Sequence, residues 1–285
     1  GRPGQVVEVD LVSRTVGRVF DVGSGRRMAY ANGKVYIPNP EEGTLTAIDV
    51  ASGDKREVSG PWARAPELVA AAGDGSAVFA GISNLVAPGA TRVYVVDTET
   101  DEVATSFSTG LYTEIAAHGS TVLVAAAGVI RAFEEGDRGY VKAWEADGGG
   151  ISWALEVAGG RVFSAIVGLG APLFDVSLAP PHVVAVHYFI LGPQVEQLLT
   201  YLGGGEEHMY ATSIHGLHSL SLDPIAEIDL LRGPGAGLDV DVGPCYGTPP
   251  PTPTQTPQPT PNGLEPTGED ECIYVTDNAD TASDD

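Results

Sequence analysis

Cys272-Ile273-Tyr274-Val275-Thr276-Asp277 reads as a β-strand: a run of β-branched and aromatic residues closed by an acid. The residues after it, Asn278 to Asp285, are polar and acidic and offer it no partner. Its expected partner lies at the other end of the chain, in Val6-Val7-Glu8-Val9-Asp10, with Val7 and Val9 as acceptor positions. A 26-residue stretch, Tyr246 to Glu271, separates the strand from the apolar segment before it. Where this strand docks decides the architecture.

Working outward, a repeat emerges. Apolar pairs with a large second member recur at Val35-Tyr36, Val78-Phe79, Val122-Leu123, Val162-Phe163, Met209-Tyr210 and Ile273-Tyr274. Turn signals precede the first five, at Asn32-Gly33, Asp74-Gly75, His118-Gly119, Gly159-Gly160 and Gly203-Gly204-Gly205. Such turns tolerate the positive φ that tight hairpins need. A second series closes on an acid: Val7-Glu8-Val9-Asp10, Leu45-Thr46-Ala47-Ile48-Asp49, Val93-Tyr94-Val95-Val96-Asp97, Ile130-Arg131-Ala132-Phe133-Glu134 and Leu217 to Asp223. The copy at Leu173-Phe174-Asp175-Val176-Ser177 is degenerate. Each unit therefore holds four short strands, and four-stranded units at this spacing read as propeller blades.

Whole blades are expected at roughly 26–64, 65–110, 111–150, 151–192 and 193–235. The N-terminal remainder supplies a third and an outer strand. The C-terminal remainder supplies an inner strand, Gly237 to Val242, and the Tyr274 strand. Joined, they complete a sixth blade and remove an unpaired edge. The expectation is all-β, one six-bladed β-propeller, with seven blades the alternative. Its parts are a propeller over 1–245, a Pro/Thr-rich linker over 246–271, and a strand with an acidic tail over 272–285.

Arg92-Val93-Tyr94-Val95-Val96-Asp97-Thr98-Glu99-Thr100-Asp101-Glu102-Val103 resembles the YVTN-type propeller repeat. Tyr274-Val275-Thr276-Asp277 nearly spells that motif, with Asp for Asn. The resemblance runs through most of the chain in divergent copies. It implies a secreted or cell-surface location, because surface-layer components belong to that family. Propellers also carry lactonase, lyase and dehydrogenase activities, so the fold does not set the chemistry.

Composition agrees with many short strands and tight turns: 37 Gly, 21 Pro and 43% hydrophobic residues. A formal charge of −23 argues against nucleic acid and anionic membrane as partners. The chain begins at Gly1 rather than Met, and a removed signal peptide is the expectation. Cys245 and Cys272 bracket the Pro-rich stretch. Adjacent strands lie ~5 Å apart, within disulfide reach, so these two cysteines are expected to bond. The bond forms within one chain if the strand returns to its own blade. It forms between chains if the strand crosses to a neighbour. An unpaired tail is the third arrangement.

Thr248 to Pro261 alternates Pro with Thr and Gln. Such a tract is extended at ~3.1 Å per residue, giving a strut of roughly 40 Å. Thr248, Thr252, Thr254, Thr256 and Thr260 are candidate O-glycan acceptors. His215 and His218 are three apart, which puts them on opposite faces of a strand, and His208 is read as a turn residue. The acids Asp97, Glu99, Asp101 and Glu102 read as a solvated turn, with Ca²⁺ the rival. Asp239 and Asp241 share a face of an inner strand and are a candidate cation site in the channel. Trp62, Trp144 and Trp153 are read as core packing. No catalytic residues are assigned.

The functional expectation is a non-enzymatic extracellular structural subunit. It would polymerise head to tail by donating the C-terminal strand, Ile273 to Thr276. The rival is a secreted lactonase- or lyase-like enzyme, or a ligand-binding surface protein, with its site in the central channel. A surface adhesin on a Pro-Thr stalk is a third reading.

Overall fold

The computed structural model describes residues 4–10, 15–22, 27–39, 42–62, 64–83, 89, 91–166, 172–178, 181–188, 201–204, 208–213, 216–222, 225–231, 239–244 and 271–277. Among these residues every regular element of two residues or more is a strand. The N-terminal pair is β1 (Gly4–Asp10) and β2 (Thr15–Val22). Next come β3 (Ala29–Ala31), β4 (Lys34–Asn39), β5 (Thr44–Asp49) and β6 (Lys55–Val58). They are followed by β7 (Leu68–Ala71), β8 (Ala77–Gly81), β9 (Arg92–Asp97) and β10 (Glu102–Ser108). The third group is β11 (Glu114–His118), β12 (Thr121–Ala126), β13 (Val129–Gly136) and β14 (Gly139–Asp147). The fourth is β15 (Ser152–Ala158), β16 (Arg161–Ile166), β17 (Pro172–Leu178) and β18 (Pro181–Tyr188). Then follow β19 (Tyr201–Gly204), β20 (His208–Ser213), β21 (Gly216–Leu222) and β22 (Ile225–Leu231). The chain's last strands are β23 (Asp239–Pro244) and β24 (Glu271–Asp277).

Each group of four forms one antiparallel meander, and the end strands share a sheet in the order β2-β1-β24-β23. The first strands of successive sheets neighbour one another: β3 and β7, β7 and β11, β11 and β15, β15 and β19, β19 and β23, and β23 and β3. The result is a propeller-like ring of sheets. The groups β3–β6, β7–β10, β11–β14 and β15–β18 are four of its blades.

Local chemistry explains the meanders. Asn32 and Gly33 both take positive φ, 47° and 75°, as do Gly159 and Gly160, at 54° and 71°. Two consecutive left-handed residues make the turn whose twist matches a hairpin. The acid that ends a third strand opens the next turn. The Asp49 carboxylate accepts the Ser52 N–H at 2.8 Å, and Asp97 accepts the N–H groups of Glu99 (3.0 Å) and Thr100 (2.8 Å). These bonds hold both carboxyls below the usual carboxylate range. The fourth strands β2, β10, β14, β18 and β22 each carry one extra residue against their third strand. Such a bulge adds twist and bends the outer strand.

The core lies in the wedges between sheets. Tyr36, Val78, Ala80 and Val96 pack between the first two full sheets, with Trp62. Phe79, Phe107, Tyr112 and Phe133 fill the next wedge, and Ile130, Leu155, Val162 and Val176 the one after. The repeat anchors Tyr36, Phe79, Leu123 and Phe163 are fully buried and fall on the second strand of their sheets; Met209, the first member of the fifth pair, is fully buried on β20. A second strand is covered on both faces, so it reads as a continuous apolar run. Trp62 packs as expected, its Nε1 donating to the Gly43 carbonyl at 2.6 Å and its ring meeting Tyr94 edge-on. Trp144 is partly buried against the third wedge. The Trp153 side chain lies outside the described set. His208 opens β20 rather than lying in a turn.

Candidate functional site

The strand that decides the architecture sits inside a sheet. β24 pairs antiparallel with β1, Val7 opposite Val275 and Val9 opposite Ile273. It pairs on its other side with β23, Val240 opposite Val275 and Val242 opposite Ile273. The acceptor positions Val7 and Val9 and the closing strand Ile273, Tyr274, Val275 and Thr276 are thus brought together. Pro244 and Glu271 are register partners, so the 26 residues between them join points one strand spacing apart. A hairpin needs about two to five. β24 starts at Glu271, one residue ahead of the sequence boundary. Cys272 stands opposite Gly243 and Asp10. Cys245, Thr248, Thr252, Thr254, Thr256 and Thr260 lie outside the described residues, as does the linker apart from Glu271.

An ion pair is built into the β1–β2 hairpin. Glu8 on β1 is 1% exposed. The bulge on β2 places Gly17 and Arg18 across from it, and Arg18 Nε meets Glu8 Oε2 at 2.9 Å. Arg18 also donates to the Val50 and Ala51 carbonyls of the β5–β6 turn. The pair therefore ties the composite sheet to its neighbour. A Cβ at Gly17 would approach Glu8 Oε2 to 3.2 Å, so a small residue there leaves room for the carboxylate.

The same device recurs. Lys34 opens β4 and donates to the Thr98 carbonyl (2.8 Å) and to Asp101 (2.9 and 2.8 Å) in the β9–β10 turn. Tyr36 donates to Asp101 Oδ1 at 2.6 Å, and Arg56 lies 3.5 Å from Asp101 Oδ2. Arg161 opens β16, pairs with buried Asp175 at 2.7 Å and donates to the Leu222 carbonyl of the next sheet. In all three, a cation on one sheet bonds a carbonyl of the next, at or just after the end of its third strand. Asp101 corrects the sequence reading: it is buried, not part of a solvated turn, because the neighbouring blade covers it. Burial and the Asp101 carboxylate hold the Tyr36 phenol well above its usual range.

One polar pair joins the starts of two first strands. Arg27 lies just ahead of β3, and Glu114 begins β11; Nη2 and Oε1 are 2.7 Å apart. β7 lies between these two strands in the ring, so the pair links the starts of non-adjacent blades. Both side chains are largely buried, at 16% and 9% exposure. Nearby in sequence, Ser83 donates to the Thr113 carbonyl at 3.1 Å. Nothing in the local sequence marks Arg27 or Glu114, which are 87 positions apart.

Asp239 and Asp241 alternate on β23, which neighbours β19 and β3, so they share a face of an innermost strand. Among the described residues no group of three or more His, Cys, Asp or Glu is arranged to hold a metal ion. Nor is any helix long and apolar enough to cross a membrane. His118 ends β11 and is exposed.

No family model matches the chain, and no curated protein does. Solved structures do. A chain titled "Structure of U3-55K" is similar over 96% of this chain and 90% of its own, at 8% identity and a TM-score of 0.62. The hydrazine synthase of Kuenenia stuttgartiensis is similar over 73% and 68%, at 16% identity and a TM-score of 0.54. A chain of a mitotic checkpoint complex is similar over 78% and 69%, at 10% identity and a TM-score of 0.55. At such identities the likeness concerns the fold, and it agrees with the ring of sheets: the chain has a β-propeller arrangement.

Proposed function

We propose that the ring has six blades of the YVTN type and that the protein is a non-enzymatic extracellular structural subunit. Each copy donates β24 to the next, filling the gap between the neighbour's β23 and β1. The observation that carries this reading is the connection. A strand in the middle of a sheet is joined to its own neighbour by 26 residues where a few would do. The same pairings form whether the strand comes from the same chain or from the next, which is the condition for swapping an element. A head-to-tail exchange that does not close builds a filament or a coat. Cys272 with the next copy's Cys245 would make the link covalent. Threonine glycans on the linker, and an extracellular or cell-surface location, belong to the same reading.

Electrophoresis of the native protein with and without reductant tests it. A ladder of covalent multimers that collapses on reduction is expected. A monomer band under both conditions refutes covalent polymerisation. Electron microscopy of native material then shows filaments, a lattice or isolated rings.

The rival reading, a lactonase- or lyase-like enzyme or a small-ligand binder, is favoured by the buried Arg27–Glu114 pair at the starts of two first strands. Buried charges cost desolvation energy, and function is one reason to keep them. Turnover of lactone substrates that is lost in Glu114→Gln would support it.

A further inference from the structure

The two faces of the composite sheet differ in kind, and the difference falls on β24. One face carries the rows Val7-Val275-Val240 and Val9-Ile273-Val242, all β-branched. The other carries Val6-Thr276-Asp239, Glu8-Tyr274-Asp241 and Asp10-Cys272-Gly243. Val6 and Glu8, on this second face, are 0% and 1% exposed, with Glu8 held by Arg18. At the ends of the strand, Asp277 stands opposite Gln5 and Glu271 opposite Pro244, both beyond the valine rows.

Every slip of this strand is penalised. A slip of one residue exchanges the faces. It sets Ile273 or Val275 opposite the buried Glu8 carboxylate and moves Tyr274 into the valine rows. A slip of two keeps the faces but moves an end acid inward. In one direction Asp277 takes the place of Val275 between Val7 and Val240. In the other, Glu271 takes the place of Ile273 between Val9 and Val242. Val7, in these rows, is half-buried, and a carboxylate set beside it among aliphatic residues loses water without gaining a partner, which is disfavoured.

We propose that Glu271 and Asp277 are end stops that fix a single register. The gap between β23 and β1 is then a socket specific for an extended segment of the pattern acid-x-Ile-x-Val-x-acid. This rests on the strand-donation reading only for which copy supplies the strand. The segment in the socket is the β24 sequence in either case. The register lock makes the socket selective for this sequence over other strands of its own surface.

Paired-cysteine trapping in the full chain, with Cys245→Ser and Cys272→Ser, tests it. Opposed residues lie within disulfide distance. The pairs Val7→Cys with Val275→Cys and Val9→Cys with Ile273→Cys report the native register. The pairs Val9→Cys with Val275→Cys and Val7→Cys with Ile273→Cys report the two slips. With both acids present, the slipped traps should form about tenfold less than the native ones or lower still. Asp277→Val should raise the Val9–Val275 trap about tenfold and leave the other slip unchanged. Glu271→Val should raise only the Val7–Ile273 trap. Slipped traps that form freely in the presence of the acids overturn the proposal. So do slipped traps that stay rare after the acids are removed, or an absence of every trap. Whether the trapped product runs as a monomer or a multimer reads the donation separately, so either idea can fail alone.

Discussion

Replacing Asp101 probes how one blade is fastened to the next. Its carboxylate accepts Lys34 Nζ at 2.9 and 2.8 Å and the Tyr36 hydroxyl at 2.6 Å, with Arg56 3.5 Å away. Removing one partner of a buried ion pair costs about 3–5 kcal/mol. The Thr98 carbonyl still accepts Lys34 at 2.8 Å, which points to the lower end, about 3 kcal/mol. Asp101 also has a φ of 57°, a conformation that costs an ordinary L-residue roughly 1–2 kcal/mol and Asn less. Asp101→Ala should therefore lose about 4 kcal/mol. Asp101→Gly relieves the backbone and should lose about 3, and Asp101→Asn, which keeps an acceptor, about 2. Urea unfolding read by tryptophan fluorescence measures these. A double-mutant cycle with Tyr36→Phe should give a coupling of about 1–2 kcal/mol. A loss below about 1 kcal/mol for Asp101→Ala, or additive effects within about 0.5 kcal/mol, would refute the latch.

Two further outcomes follow from the same wedges. A Cβ at Gly81 would lie 2.3 Å from the Tyr112 hydroxyl oxygen, which accepts from the Ile82 N–H (3.0 Å) and donates to the Arg92 carbonyl (2.7 Å). Gly81→Ala should cost about 2–3 kcal/mol in urea unfolding, and less in a Tyr112→Phe background; equal losses in both would count against the clash. Burial, and for Tyr36 the Asp101 carboxylate, raise the phenols of Tyr36 and Tyr112 above their unfolded value of about 10. Their contribution is thus complete below about pH 10 and is lost as pH rises toward the folded values. Stability should fall above pH 10 by up to about 1.4 kcal/mol per pH unit for each phenol, and Tyr36→Phe should remove one share of that slope. An unchanged slope in Tyr36→Phe would contradict this assignment.

The repeat was legible because its information is local. A hairpin is written in neighbouring residues: a Gly-containing turn, a two-residue alternation, an acid that bonds the next backbone amides. Hence Tyr36, Phe79, Leu123 and Phe163 could be read as second-strand anchors, and the pairing of β1 with β24 could be expected from two segments that otherwise lack a partner. The polar fasteners were not legible. Lys34 with Asp101, Arg18 with Val50 and Arg27 with Glu114 join residues 67, 32 and 87 positions apart. Asp101 belongs to the same acidic run as half-buried Asp97, and it is the neighbouring blade that buries it.

Alternation and turn chemistry in the sequence by itself determined that this chain makes four-stranded antiparallel units and that its two ends share one of them. The closing of the ring decided the rest: which acids are buried, which cations reach across a wedge, and which first strands share a charge pair. Burial and long-range pairing are properties of sheets packed face to face, and no single strand contains them.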